Sequence, residues 1–262
     1  MAGVTDTGST MKNCLVLGAG RSGTSMVAGT LADAGYYMGD TMLAATDANP
    51  KGYFESREVE TVNEGIIATM LQPTRRERLL RLGRGVQRQP NFGDAEPFMR
   101  VYWLALIPPL RRPYPRQSLV QQVQALVKNQ PFCFKDPRFS YTLPVWRPYL
   151  TNTVYVCVFR EPTVTAASIL KEIEREPYLA GIRYTFDMAL DLWVYTYRHI
   201  LERHRHQGDW LFLHYDQVLT PDGLDRLAAH TGARINRDFP DAALKRSESR
   251  APIPPRAARV YD

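Results

Sequence analysis

The sequence predicts an α/β fold: a three-layer sandwich with a central parallel sheet flanked by helices. Three observations carry that expectation. Short, continuous apolar runs read as strands buried on both faces, helical periodicity recurs between them, and the connections are short. At 262 residues the chain has length enough for a large core. A composition 44% hydrophobic and 23% charged is globular and excludes disordered and fibrous classes.

Taken in order, residues 1–10 are small and polar and read as a flexible tail. Cys14-Leu15-Val16-Leu17 is a strand too short to be a helix. A glycine-rich turn follows, then a helix from about Thr24 to Ala34. Glu58–Leu71 and Leu119–Lys128 read as helices, and Phe132-Cys133-Phe134 as a strand. Val154–Phe159 is the strongest strand pattern in the chain. It ends at Arg160-Glu161-Pro162, where a proline suits the first position of a helix running to about Arg175. A long helix is expected over Phe186–His204, then a strand over Trp210–Tyr215 and a terminal helix over Pro221–Thr231. No repeat or linker interrupts this order, so residues 1–262 read as a single domain.

The net charge of +6 favours an anionic partner. It is concentrated: Pro73–Arg116 holds ten arginines and three acids, leaving the rest of the chain near neutral. Seven of the nineteen prolines cut the same stretch into short pieces. Arg75–Arg81 has the pattern of a short helix with a basic face, and either a solvated surface or an irregular lid over an anionic substrate accounts for it. The basic, proline-rich region 73–131 is thus the expected acceptor or lid region. Nucleic acid is not the expected partner, because no reader motif interleaves bases with aromatics. No apolar run approaches the roughly eighteen residues that cross a bilayer, and no signal-peptide pattern is apparent. Cys14, Cys133 and Cys157 each lie in a strand-like run and read as reduced core residues of a cytoplasmic protein, with no metal site implied.

The turn Gly18-Ala19-Gly20-Arg21-Ser22-Gly23-Thr24-Ser25 lies between a strand and a helix, where backbone N–H groups and the helix N-terminus favour a phosphate. Three readings fit it. Gly18, Gly20 and Gly23 satisfy a dinucleotide-binding glycine pattern, with Asp40 in range for the ribose, although Ala34–Gly39 is a poor strand. Gly18 and Gly23 also have the spacing of a nucleoside-triphosphate P-loop. Its lysine position, however, is Thr24, which argues against ordinary ATP or GTP hydrolysis.

The third reading is a resemblance. Arg21-Ser22-Gly23-Thr24-Ser25 resembles the 5′-phosphosulfate loop of the sulfotransferases that use PAPS (3′-phosphoadenosine 5′-phosphosulfate), a P-loop-like fold. That family also holds the 3′-phosphate with a strand-end arginine and a serine eight residues later. Arg160 and Ser168 stand at that spacing here. A planar, permanently charged guanidinium matches a phosphate, and the hydroxyl adds a donor. Leu213–Leu219 is similar to a late strand-to-loop segment whose tyrosine lies near the adenine, which would be Tyr215. Phe134-Lys135-Asp136-Pro137-Arg138 is similar to a segment whose lysine approaches the transferring sulfonate.

The resemblance implies sulfonyl transfer from PAPS to an acceptor hydroxyl, or less readily an amine, with release of PAP (adenosine 3′,5′-bisphosphate) and no metal. Gly20, Arg21, Ser22, Gly23, Thr24, Ser25, Arg160, Ser168 and Tyr215 would bind the donor, and Lys135 would carry charge in the transfer. The five histidines lie at 199, 204, 206, 214 and 230, so the mid-chain histidine base of the steroid and phenol enzymes is not expected. Other branches use a glutamate downstream of the phosphate loop. Glu55, ahead of the Glu58–Leu71 helix, matches that place, with Asp136 and Glu58 as rivals. Arg246 or Arg250 falls where the family places a loop over the 3′-phosphate. The acceptor is left open among a small molecule, a glycan, a lipid at a membrane surface and a carrier-tethered intermediate. An NAD(P)-dependent oxidoreductase and a non-catalytic binding platform are the alternatives, and oligomeric state is not readable.

Overall fold

A computed structural model describes residues 11–47, 49–72, 89–90 and 101–262. Four strands form where the apolar runs predict them: β1 (Asn13–Leu17), β2 (Cys133–Lys135), β3 (Thr153–Phe159) and β4 (Asp209–His214). Every pairing is parallel, in the order β2-β1-β3-β4. Leu15 lies opposite Phe134 on one side and Tyr155 on the other. All five residues of β1 are buried, which is why its sequence is a continuous apolar run instead of an alternation.

Eight described helices complete the layers: α1 (Thr24–Ala32), α2 (Arg57–Leu71), α3 (Gln117–Leu126), α4 (Phe139–Trp146), α5 (Pro162–Arg175), α6 (Phe186–His199), α7 (Pro221–Thr231) and α8 (Pro255–Tyr261). Alternate strand residues sort the core. Leu15, Leu17, Phe134, Tyr155 and Cys157 pack with α2, α3, α4, α6 and α8 on one face. Cys14, Val16, Val154, Val156 and Val158 pack with α1 and α7 on the other. Each fully buried Leu or Val contributes about 1.5–3 kcal/mol relative to exposure, so this period-two sorting fixes the strand register. Helix α5 rests on α6 rather than directly on the sheet, through Ala166, Ile169, Ala189 and Leu190. All three cysteines are free and buried. No described helix is long and apolar enough to cross a membrane.

The structure departs from the sequence reading in three places. Helix α4 was not expected, since Phe139–Trp146 is rich in β-formers and contains Pro144. Burial of Trp146 and its indole hydrogen bond to Asn63 Oδ1 at 2.9 Å override those propensities. The Phe186–His204 helix changes to a π turn at Ile200–His204, where the Arg205 N–H donates to the Ile200 carbonyl. The helix at Pro221–Thr231 is not terminal, because α8 follows it. Ala34–Gly39 makes only an isolated bridge, Tyr37 to Phe132, and Asp40 is exposed away from the glycine turn. The second strand that a dinucleotide fold uses to hold a ribose is therefore not formed. The expected basic helix at 75–81 lies outside the described residues, as do residues 1–10.

Candidate functional site

Strand β1 ends at Leu17, and the chain turns through Gly18–Gly23 into α1. A Cβ at Gly18 would stand 2.2 Å from the Val158 carbonyl oxygen, and one at Gly23 would stand 2.6 Å from the Tyr215 ring. Both also have positive φ, +139 and +100, so both positions require glycine. Gly23 is the N-cap of α1 and supplies no side chain to it. The Met26 and Val27 N–H groups donate to the Gly23 carbonyl, and those of Thr24 and Ser25 are left for an external acceptor. Arg21 is held at φ +68, a left-handed conformation that costs a non-glycine residue about 1–2 kcal/mol. Phe54, next to Glu55, is held likewise at φ +54. Backbone strain thus gathers at two candidate site loops. Arg21 Nη1 pairs with Glu172 at 3.1 Å, and its Nε lies 3.4 Å from Ser168 Oγ.

Ser22 differs from expectation. Its side chain is fully buried and lies 3.0 Å from the Tyr197 hydroxyl, and its N–H returns to the Ala19 carbonyl. Tyr197 also accepts from the Ala19 N–H and donates to the Val158 carbonyl. The turn is pinned from below by this tyrosine, and Ser22 supports the loop without lining the cleft.

Arg160 leaves β3, and Ser168 lies two turns along α5. The carboxylate of Glu161 accepts from the Thr163 and Val164 N–H groups, and Pro162 starts the helix, so the exit from the strand is fixed. The Arg160 guanidinium is 4.4 Å from the centroid of the Tyr215 ring and donates to the Ser247 carbonyl at 2.9 Å. No carboxylate among the described residues pairs with it. Burial pulls its pKa below the usual arginine range, and no acid is close enough to restore it fully. The guanidinium stays charged at neutral pH. A desolvated, unpaired cation of this kind is poised for an anion.

Arg21, Gly23, Thr24, Ser25, Arg160, Ser168 and Tyr215 line one cleft at the carboxyl ends of the strands. Lys51, Lys171, Arg175 and Arg246 join them, making six basic side chains against two acidic ones, Glu172 and Asp241. Arg250 is not part of that lining. The chain from Phe239 to Ser247 forms one wall. Lys51 Nζ donates to the Phe239 carbonyl, and Lys245 pairs with Asp216, each at 2.7 Å.

An adjoining pocket shares Arg21, Thr24, Ser25 and Glu172 with the cleft, and Gly20, Tyr53, Trp103 and Tyr178 help to line it. The structure brings Glu55 and Lys135 together there as a buried ion pair, with the Lys135 ammonium donating to Glu55 Oε1. The two rivals for Glu55 point elsewhere. Asp136 is fully buried and accepts from the Arg138 N–H and guanidinium. Glu58 accepts from the Ser56 hydroxyl and lines neither space.

Behind this pocket the Arg138 guanidinium pairs with Glu64, Glu60 and Asp136. Burial pushes the Glu64 carboxyl up to about 7, against the pull of Arg138. Glu172 is the site residue that sequence reading missed. It bridges Arg21 to the Tyr53 hydroxyl, which donates to it at 3.1 Å, and burial raises its carboxyl pKa. The signal was present: Glu172 lies four residues after Ser168, on the same face of α5.

His199 and His204 are neutral at neutral pH, since burial chiefly pulls them down to about 4 and about 3. Trp193 and Tyr197 are core residues.

No protein-family model matches the sequence, and no match is found among curated proteins. Three solved structures are similar at low identity. A sulfotransferase domain from the Synechococcus PCC 7002 olefin synthase aligns over 97% of this chain and 82% of its own, at 15% identity and TM-score 0.48. Sulfotransferase STF9 from Mycobacterium avium aligns over 84% of this chain and 63% of its own, at 15% identity and TM-score 0.47. A sulfotransferase domain from the curacin biosynthetic pathway aligns over 95% and 82%, at 13% identity and TM-score 0.46.

Proposed function

We propose that this chain is a sulfotransferase that moves the sulfonate of PAPS to an acceptor hydroxyl, or less readily an amine, and releases PAP. One observation carries the reading. Two anion cradles, the glycine turn with Arg21 and the Arg160–Ser168 pair, share a single basic cleft that meets a pocket containing a buried Lys–Glu pair. Two such cradles in one cleft suit a nucleotide that carries phosphates on both the 3′ and 5′ sides of its ribose. Tyr215 stacks on Arg160 and offers a ring to an adenine.

In the proposed mechanism Glu55 accepts the proton of the acceptor hydroxyl as its oxygen attacks sulfur in line. The bond from sulfur to the bridging oxygen breaks, and that oxygen leaves on the 5′-phosphate of PAP with the bonding pair. Lys135, Arg21 and the first-turn N–H groups of α1 neutralise the charge that develops there. The pair is pre-formed, so Lys135 already orients Glu55 Oε1 in the pocket before an acceptor arrives. Tyr53, Trp103 and Tyr178 give the acceptor pocket an aromatic wall, and its carboxylates disfavour a negative group beside the reacting oxygen. The charge excess of Pro73–Arg116 favours an anionic acceptor, whether glycan, lipid, small molecule or carrier-tethered. Such an acceptor would bind more weakly as salt is raised.

The deciding experiment is a thermal shift with PAP, NADP⁺, NAD⁺ and Mg-ATP at matched concentrations. A ligand at one hundred times its Kd adds about 2.7 kcal/mol to the folded state. A shift with PAP that disappears in Arg160→Gln supports the reading. A shift with NADP⁺ and none with PAP overturns it in favour of a dinucleotide-binding oxidoreductase.

A further inference from the structure

The other end of the sheet holds a second basic concavity. Helix α4 starts beyond the carboxyl end of β2 and delivers Arg147 to the turn before β3. Arg147 Nη1 donates to Gln207 Oε1 at 2.8 Å, just ahead of β4, so this corner lies at the amino ends of the strands. The donor cleft is at their carboxyl ends. Here a cavity of about 320 Å³ is lined by Arg111, Arg112, Arg147, Arg203, His199 and His204, with no acidic side chain in its described lining. That volume holds far more than a single water.

Its polar atoms are incompletely satisfied. Among the described residues Arg147 Nε and Nη2 are buried without a hydrogen-bond partner, and so is His204 Nδ1. His204 itself is 2% exposed, and its Nε2 lies 3.2 Å from the Ser140 carbonyl. These atoms have no accessible surface, so what the cavity offers an occupant is the positive charge of Arg111, Arg112, Arg147 and Arg203 in its lining. The electrostatics agree: after burial itself, Arg147, His199 and Arg203 all push His204 towards its neutral form. Guanidinium groups are planar, permanently charged forks matched to a tetrahedral oxyanion, and a concavity suits a compact one where a flat basic patch would suit an acidic protein surface. The rim is apolar, with Pro113, Pro115 and Pro144.

We propose that this concavity binds a phosphate-class oxyanion, phosphate or sulfate, at a site separate from the donor cleft. The shared chemistry is the tetrahedral anion, whether free or carried on an ester. The inference stands on Arg111, Arg112, Arg147 and Arg203 in one acid-free lining and does not depend on the proposed transfer reaction.

The test is calorimetric titration of the whole protein at constant ionic strength with inorganic phosphate and, separately, phenyl phosphate. Arg147→Gln and Arg112→Gln are the pocket variants and Arg160→Gln the donor-cleft control. Arg112 is exposed, so its variant keeps the test open if Arg147→Gln fails to fold. The expected result is a site weakened at least tenfold by either pocket variant and unchanged by Arg160→Gln. Tighter binding of phenyl phosphate than of phosphate would assign the site to an ester using the proline rim, and equal binding to the free anion. A single site lost in Arg160→Gln and untouched by both pocket variants overturns the proposal.

Discussion

Glu55 and Lys135 are nearly enclosed, with side chains 11% and 2% exposed. A buried pair is retained at a site because each charge prevents the other from being stranded. In the proposed reaction Glu55 is the proton acceptor, so Glu55→Gln should abolish transfer while PAP still raises the melting temperature. Removing a general base typically costs at least about a hundredfold in rate. Turnover within a few fold of the parent, measured with any working acceptor, would move the role to Glu172, the carboxylate that lines both the cleft and the pocket. These residues differ in how legible they were. Arg160 and Ser168 could be named because a strand-end arginine and a helical serine eight residues later make a recognisable spacing. Glu55 and Lys135 could be named singly from a resemblance. Their contact joins positions eighty residues apart, and no local pattern records it. The orientation of the Ser22 side chain was not legible for a related reason. A loop sequence tells which backbone groups are available, but the inward turn of its hydroxyl depends on Tyr197, far along the chain.

At the scale of elements, the sheet was the most legible part, because strands buried on both faces cannot be anything but continuously apolar. Helix α4 was the least legible. Its sequence argues against a helix, and what holds it is tertiary: Trp146 in the core, and Arg138 at its start tied to α2 through Glu60 and Glu64. This tie has a pH signature. Glu64 accepts from Arg138 and from the Tyr102 N–H at 3.0 Å, yet burial raises its pKa to about 7 from an unfolded value near 4.5. Between those limits the folded chain binds a proton that the unfolded chain has released. The contribution of Glu64 to stability is therefore fully present below about 4.5 and falls as pH rises towards 7. The slope reaches roughly 1 kcal/mol per pH unit at most. Denaturant unfolding of Glu64→Gln across this window should show a flatter pH dependence than the parent. An unchanged slope would mean that Glu64 is ionised in the folded state throughout.

Across the whole molecule, the two ends of the sheet divide the charge in a way that composition could not reveal. The excess of arginine in residues 73–116 reads as a solvated surface or a lid over an anionic substrate, yet Arg111 and Arg112 reach the amino-end concavity while Trp103 lines the pocket of the Glu55–Lys135 pair. Chain proximity and spatial proximity part company there, with Pro108 and Pro109 between the two. The carboxyl end is closed by a different segment. Phe239 lines the donor cleft and packs edge-to-face on Phe54 with ring centroids 5.3 Å apart. The Lys51 ammonium lies 5.1 Å from the same ring. Phe54 precedes Glu55, so the closing segment is anchored on the loop that carries the candidate base. Edge-to-face aromatic pairs add about 0.5–1.5 kcal/mol beyond burial, and a cation over a ring adds a similar amount. Phe239→Ala removes both without altering any group that contacts an anion. It should therefore loosen the wall and speed PAP dissociation by about tenfold, with a smaller change in association. Stopped-flow displacement of PAP reads the two rates separately. A slower association with an unchanged off-rate would show that the segment guards entry to the cleft instead of holding its occupant in place.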